Sequence, residues 1–194
     1  MTNQTTERSS ERRRIHDLVG PLRLDTLSHG TIHLPSSDSA FVHLQFRRFA
    51  GCPVCNLHMR AFAQSQDALR SAGVTTVAFF HSTADQMRPY QGDLPFAAVA
   101  DPERYWYRHF GVERSALAVA HPRVMWSALR GLALAPSNPF VGGLDQTGLP
   151  ADFLLDRSGR IVDLHYGAHA DDQWSVDELL RLTQRVAIAP PRSG

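Results

Sequence analysis

The pattern along the 194 residues predicts an α/β protein. The expected architecture is a mixed central sheet flanked by helices, with an N-terminal hairpin and an insert before the final β-hairpin. Three observations carry this. Short runs rich in β-branched and aromatic residues alternate with helical stretches through the first half, which implies parallel pairing. Two strands joined by a tight turn, around Asp156 to Gly159, add an antiparallel edge. The only two cysteines stand as Cys52-Pro53-Val54-Cys55, where a strand hands over to a helix.

Taken in order, residues 1 to 14 are polar and include Arg8 and Arg12-Arg13-Arg14, and they read as a flexible, solvated tail. A single domain is expected over 15–188. Leu22 to Leu34 alternates around Gly30 as a small hairpin. Phe41 to Arg47 is a strand, and Val54 to about Ala72 a helix with Leu57, Phe62, Ala68 and Leu69 inward and Gly73 ending it. Val74 to Phe80 is a buried strand by composition, Asp85 to Tyr90 a short helix, and Phe96 to Ala100 another strand. Pro102 is expected to start a helix that Gly111 stops. An insert spans about 112–148; Val124 to Arg130 is amphipathic within it, and Ala135-Pro136-Ser137-Asn138-Pro139 and Gly142-Gly143 read as loop. Phe153 to Leu155 and Arg160 to Tyr166 form the hairpin. Trp174 to Val186 is the last helix, with Ser175 as its N-cap, and 189–194 is a C-terminal tail.

The cysteine pair is the chemical centre of this reading. Pro53 suits the first helical position, where its missing N–H removes nothing the helix needs. Cys52 then falls at the N-cap, its sulfur facing unpaired N–H groups and the positive end of the helix dipole. That setting favours the thiolate, the reactive form. Gly51 is expected to permit an unusual turn after the strand. Arg47 and Arg48 are close enough to add positive potential, although alternation points them to opposite faces. Cys55, inside the first turn, is less exposed yet within reach of an oxidised Cys52. The expected roles are Cys52 as nucleophile and Cys55 as resolving thiol. Three other readings compete. A short-range disulfide is a weak staple for a domain of this size. A zinc site needs four ligands, and no second Cys-x-x-Cys or His-x3-His completes one. The pair also fits two small core residues.

Composition narrows the partners. A formal net charge of +1 gives no argument for nucleic acid or an anionic membrane. No apolar run approaches spanning length, and the N-terminus lacks a signal-peptide core, so a cytoplasmic location is the default expectation. There a two-cysteine pair is more often catalytic than structural. No cofactor or metal is expected. Among the 10 histidines, His58 lies one turn beyond Cys55 and is placed to tune a thiol, against a plain solvated position. His81, ending a strand on the site edge, is a candidate supporting residue. Arg108-His109 reads as helix surface, and Tyr166 to Trp174 as a capping loop with Trp174 inward.

Three segments resemble a known family. They are Phe46-Arg47-Arg48-Phe49-Ala50-Gly51-Cys52-Pro53-Val54-Cys55; Ala100-Asp101-Pro102-Glu103 with Phe110-Gly111-Val112; and Gly148-Leu149-Pro150-Ala151-Asp152-Phe153-Leu154-Leu155-Asp156 with Gly159-Arg160-Ile161. They resemble the peroxiredoxin-like branch of the alkyl hydroperoxide reductase/thiol-specific antioxidant (AhpC/TSA) family, with a thioredoxin fold, and the resemblance extends over most of residues 20–187. The resemblance implies a cis proline at Pro150 beside the cysteines, against the plain alternative of a trans proline entering an edge strand; Gly51, Pro53 and Arg48 are the supporting residues expected from the local pattern itself. It implies a hydroperoxide substrate and an external thiol reductant such as thioredoxin, glutaredoxin or a low-molecular-weight thiol. The sequence departs from the family at Phe49, where a Thr or Ser is usual three residues before the attacking cysteine, and at Gln45, where a Pro is usual.

Three functions follow as expectations. The first is a thiol-dependent peroxidase; the second is a disulfide oxidoreductase using the same pair on protein or small-molecule disulfides. The third is a redox-sensing or interaction module docking through the insert. Val124, Trp126, Leu129 and Leu132 would then be exposed in a monomer or buried in a homodimer, with burial inside the chain as the simpler alternative.

Overall fold

The computed structural model describes residues 11–36, 38–112, 122–140 and 147–188. A hairpin of β1 (Leu22–Asp25) and β2 (Thr31–Leu34) precedes the main sheet. Then come β3 (Phe41–Phe46), α1 (Pro53–Gln64), α2 (Gln66–Ser71), β4 (Val74–Phe80), α3 (Ala84–Gln91), β5 (Ala97–Ala100), α4 (Tyr105–His109), α5 (Pro122–Leu134), β6 (Ala151–Asp156), β7 (Ile161–Tyr166) and α6 (Val176–Ile188). The five-stranded sheet runs β5-β4-β3-β6-β7. β3 pairs parallel with β4, and β4 with β5, while β6 and β7 join antiparallel. This is the mixed α/β sheet the alternation implied.

Register divides the sheet residues between two cores. Val42, Leu44 and Phe46 face one side with Val77, Phe79 and Phe153, and there meet Tyr107, Phe110 and the hairpin leucines Leu22, Leu24 and Leu34. Phe41, Ala78, Phe80 and Leu154 face the other side and pack under α1 and α6 through Met59, Phe62, Trp174 and Leu179. β3 is buried along its whole length, as the centre of a two-sided sheet must be.

Two helix boundaries differ from expectation, for local reasons. The helix after the cysteines is broken at Ser65, whose N–H is shared between the Ala61 and Phe62 carbonyls, and α2 restarts beyond it. α4 starts at Tyr105 and not at Pro102, because the Asp101 carboxylate accepts the N–H groups of Tyr105, Trp106 and Tyr107 and so fixes where the first turn begins. Ser175 Oγ accepts the Glu178 N–H, the N-cap bond expected for α6. No helix is long and apolar enough among the described residues to cross a membrane.

The described part of the N-terminal segment lies against the domain. His16 N donates to Ile161 O and Ile161 N to Asp17 O, so the chain pairs with the start of the edge strand β7. Arg13 N donates to the Tyr166 hydroxyl, which in turn donates to Phe110 O, and the Arg12 and Arg13 guanidiniums lie over the Tyr166 and Phe110 rings. The expected tail at 11–14 is thus held by hydrogen bonds and ring contacts. Residues 1–10 and 189–194 lie outside the described residues, as does Gly142-Gly143.

Gly111 makes that docking fit. Its φ is +66°, and an added Cβ would stand 2.8 Å from Arg12 Cα. Gly111→Ala is expected to cost about 1–2 kcal/mol and to speed hydrogen exchange at His16 and Ile161, measured by urea unfolding and amide exchange.

Candidate active site

β3 ends at Phe46, and the Arg47 N–H extends the ladder to Phe79 O. The chain turns through residues 48–51, with Cys52 N donating to Phe49 O. Cys52 takes extended dihedrals, φ −61° and ψ 117°, and Pro53 opens α1. Cys52 is therefore the N-cap. Gly51 serves a different purpose from the one expected. Its φ is not positive, and what it supplies is space, since a Cβ would collide with the Asn138 backbone carbonyl.

The thiols are reduced, paired and buried, 0% and 1% exposed. Cys52 Sγ accepts the Cys55 N–H at 3.3 Å and faces the Cys55 thiol at 2.7 Å. Arg48 Nη1 donates to it at 3.7 Å, while the same guanidinium lies over the Phe49 ring. Burial alone would push the Cys52 pKa up. The Cys55 thiol, the Arg48 charge and the N–H groups of Cys55 and Val54 outweigh it, bringing the value down to about 7. Burial pushes Cys55 well above its ordinary value, and donating to a negatively charged Cys52 raises it further. One thiol is thus poised to ionise and its neighbour to hold a proton.

The insert closes over this pair. Asn138 N donates to Gly51 O, Asn56 Nδ2 to Pro136 O, and Arg60 to Leu134 O. A Cβ at Gly131 would meet Pro53, so α5 lies directly on the start of α1. Ser127 on α5 donates to Asp171 in the loop before α6 at 2.6 Å. From below, Gln91 Nε2 donates to Ala50 O and Asn56 Oδ1, and Ala50 N to Ser82 Oγ.

Arg47 points the other way from Arg48, as alternation requires, into a cluster that sequence reasoning missed. Its Nη2 lies 2.6 Å from Asp152 Oδ1, both side chains being 0% exposed. Nε donates to Gln45 Oε1, and Nη2 meets His58 Nε2 at 3.1 Å. Asp152 also meets His43 Nε2 at 2.8 Å and accepts the Trp174 N–H. Burial opposes ionisation of Asp152, but the Arg47 charge and the bond to His43 hold its carboxyl well below the usual carboxylate range. Burial depresses His43, with the Asp152 hydrogen bond opposing; burial and the Arg47 charge depress His58 well below its ordinary value. The missed signal was polar residues at period two, His43, Gln45 and Arg47, inside an otherwise apolar strand.

The remaining expected residues separate clearly. His58 turns toward Arg47 and Phe62. His81 does border the site: its Nδ1 lies 3.2 Å from Arg104 Nη2, and its Nε2 and Arg48 both border the space above Gly148. His109 pairs with Arg13 on the far face. In the loop before α6, Asp172 bonds His165 and the Ala168 N–H, and Trp174 packs inward. Pro150 leads straight into β6, and its carbonyl accepts the Gly167 N–H. The expected cis bond is not there. Among the described residues the cis bond is Leu34–Pro35, and Leu149–Pro150 takes the trans form that an X-Pro bond favours. No cluster of three or more metal-ligating side chains occurs among the described residues.

A strand–turn–helix with a paired thiol at the helix start, set on this mixed sheet, defines a thioredoxin-fold thiol protein. The family model of the AhpC/TSA family matches residues 16–164, and the chain belongs to that family. Solved structures agree on the fold. The peroxidoxin BcpB of Mycobacterium tuberculosis is 15% identical with a TM-score of 0.65, over 92% of this chain and 100% of that one. The reduced 2-Cys peroxiredoxin of Plasmodium vivax is 13% identical with a TM-score of 0.66, over 93% and 89%. AhpC of M. tuberculosis is 15% identical with a TM-score of 0.65, over 92% and 95%. No curated protein sequence matches the chain.

Two outcomes follow from the geometry. Arg48→Leu removes the cation beside Cys52, so the pH midpoint for alkylation of reduced Cys52 is expected to rise from about 7 toward that of an ordinary thiol; iodoacetamide rates across pH read it. Asp152→Ala leaves Arg47 buried without its carboxylate, at a cost of about 3–5 kcal/mol at pH 7. Because the folded carboxyl ionises more readily than the unfolded one, this contribution is present above the ordinary carboxylate value and is lost as pH falls through it and below. Urea unfolding of both proteins at pH 7 and pH 3 should show the gap narrowing at the lower pH.

Proposed function

We propose that this chain is a thiol-dependent peroxidase with Cys52 as the attacking thiol and Cys55 as the resolving one. The observation that carries it is the asymmetry of the pair: Cys52 is shifted toward thiolate beside Arg48, and Cys55 keeps its proton 2.7 Å away. The Cys52 thiolate attacks the distal oxygen of a hydroperoxide. The S–O bond forms as the O–O bond breaks, and the alkoxide or hydroxide leaves as alcohol or water after taking a proton. Cys52 is then a sulfenic acid. Cys55 attacks that sulfur, the S–O bond breaks, and its proton leaves with the hydroxide as water. An external dithiol, such as thioredoxin or glutaredoxin, or a pair of small thiols then returns two electrons and two protons. Arg48 favours the thiolate, Pro53 sets the helix start, and Gly51 leaves room for the Asn138 backbone to close over the turn.

A second reading is disulfide exchange with a protein or small-molecule disulfide. Phe49 favours it, because no hydroxyl stands three residues before Cys52 to orient a peroxide.

One equivalent of hydrogen peroxide, followed by intact mass and free-thiol content, tests the first reading. Both thiols of the reduced protein should disappear far faster than a free thiol reacts. Cys55→Ser should accumulate a trappable sulfenic acid, and Cys52→Ser should be inert. A rate no greater than that of a free thiol rejects the peroxidase and leaves disulfide exchange.

A further inference from the structure

α5 lies on α1 by one side, where Val124 is buried and Gly131 meets Pro53, and turns another side outward. Met125, Trp126, Leu129 and Leu132 are 71%, 65%, 60% and 53% exposed there. Single apolar residues on a surface need no explanation, but a continuous stripe marks a contact. The order of residues around the helix says what kind. With successive residues about 100° apart, Met125, Leu129 and Leu132 fall within about 60° of one another. Trp126 stands about 90° to one side of their centre, and Arg130 and Arg123 lie about 40–60° beyond it. α5 carries no acidic residue. The carboxylate that touches it, Asp171, bonds Ser127 on the side turned away from the stripe. In the loop that leaves the helix, Phe140 is exposed as well.

We propose that α5 docks this protein onto the surface of an anionic lipid bilayer, with its apolar stripe among the outer acyl chains and its arginines among the phosphates. The succession of apolar stripe, indole and guanidinium follows the depth profile of such a surface. Met125, Leu129 and Leu132 match the acyl boundary. The Trp126 ring, apolar with one N–H donor, suits the headgroup level. The arginines cover apolar surface with their stems and carry their charge out to the phosphates. Charge also decides against a second copy as the occupant. Packing α5 on α5 brings the cations of one helix toward those of the other, with no carboxylate on either to answer them. Lipid phosphates supply the opposite charge. Arg60 on α1 donates to Leu134 O and adds a third cation at the end of α5. The formal charge of +1 hides this arrangement, because the acidic residues that balance the total lie on other elements. The docking does not depend on the chemistry proposed for the cysteines, although it sets against lipid the element that covers them.

Flotation of the reduced full chain with vesicles of equal parts phosphatidylcholine and phosphatidylglycerol, at low ionic strength, tests this, with tryptophan emission as a second readout. The protein should float and its emission should move to shorter wavelength. Trp126→Phe should remove that shift and keep the flotation. Leu129→Glu should weaken partitioning at least tenfold while its far-UV circular dichroism stays unchanged. Ile188→Glu, which places the same charge at an exposed apolar residue of α6, should leave partitioning intact. Arg130→Gln should weaken it about fivefold and flatten its salt dependence. No flotation, equal flotation with phosphatidylcholine alone, or binding indifferent to Leu129→Glu overturns the proposal. Sedimentation velocity without lipid covers the other occupant: a dimer that Leu129→Glu dissociates would assign the stripe to a second copy, and would equally overturn it.

Discussion

A carboxylate without access to water stays ionised only beside a cation, and Asp152 has Arg47. That contact joins the end of β3 to the start of β6, two positions past Pro150. Through Trp174 N and His58 it also reaches the start of α6 and the first turns of α1. The turn that carries the cysteines and the helix that follows it both depart from these points. The pair is costly to bury, so its worth lies less in net stability than in fixing one relative placement of these elements. A misplaced β6 or α1 would strand a charge.

Arg47 and Arg48 divide the labour by simple alternation. Arg47 is spent beneath the sheet on Asp152, which leaves Arg48 as the cation against Cys52 Sγ. The site then combines two effects that act against each other. Closure by α5 and residues 135–140 removes water and raises both thiol pKa values. Helix N–H groups, Arg48 and the Cys55 proton restore ionisation at Cys52 alone. The result is an acid–base difference between two identical side chains three residues apart. The same closure means that a bulky substrate or reductant reaches the sulfur only after the covering segment moves.

Much of this was legible in the sequence because it is local. The strand before Cys52, Pro53 at the helix start, the closing hairpin and the Ser175 cap are all set by neighbours within a few residues. What escaped depends on distant partners. His43, Gln45 and Arg47 read as ordinary polar positions until β6 brings Asp152 opposite Gln45. Gly51 looked like a turn residue, but Asn138, far along the chain, dictates it. The start of α4 was misplaced because Asp101 captures three N–H groups, a choice that Pro102 does not advertise. The proline expected to be cis at position 150 was inferred from resemblance, and the local backbone of this chain does not follow it.

The claim at the centre of this account is that the two thiols differ in acidity, with Cys52 the more acidic. A carbon-13 titration of protein labelled at cysteine Cβ, kept fully reduced from pH 4 to 11, measures both directly. The account predicts that Cys52 titrates near 7 and that Cys55 stays protonated well beyond the range of an ordinary thiol. Two thiols titrating together near an ordinary value, or Cys55 ionising first, would contradict it.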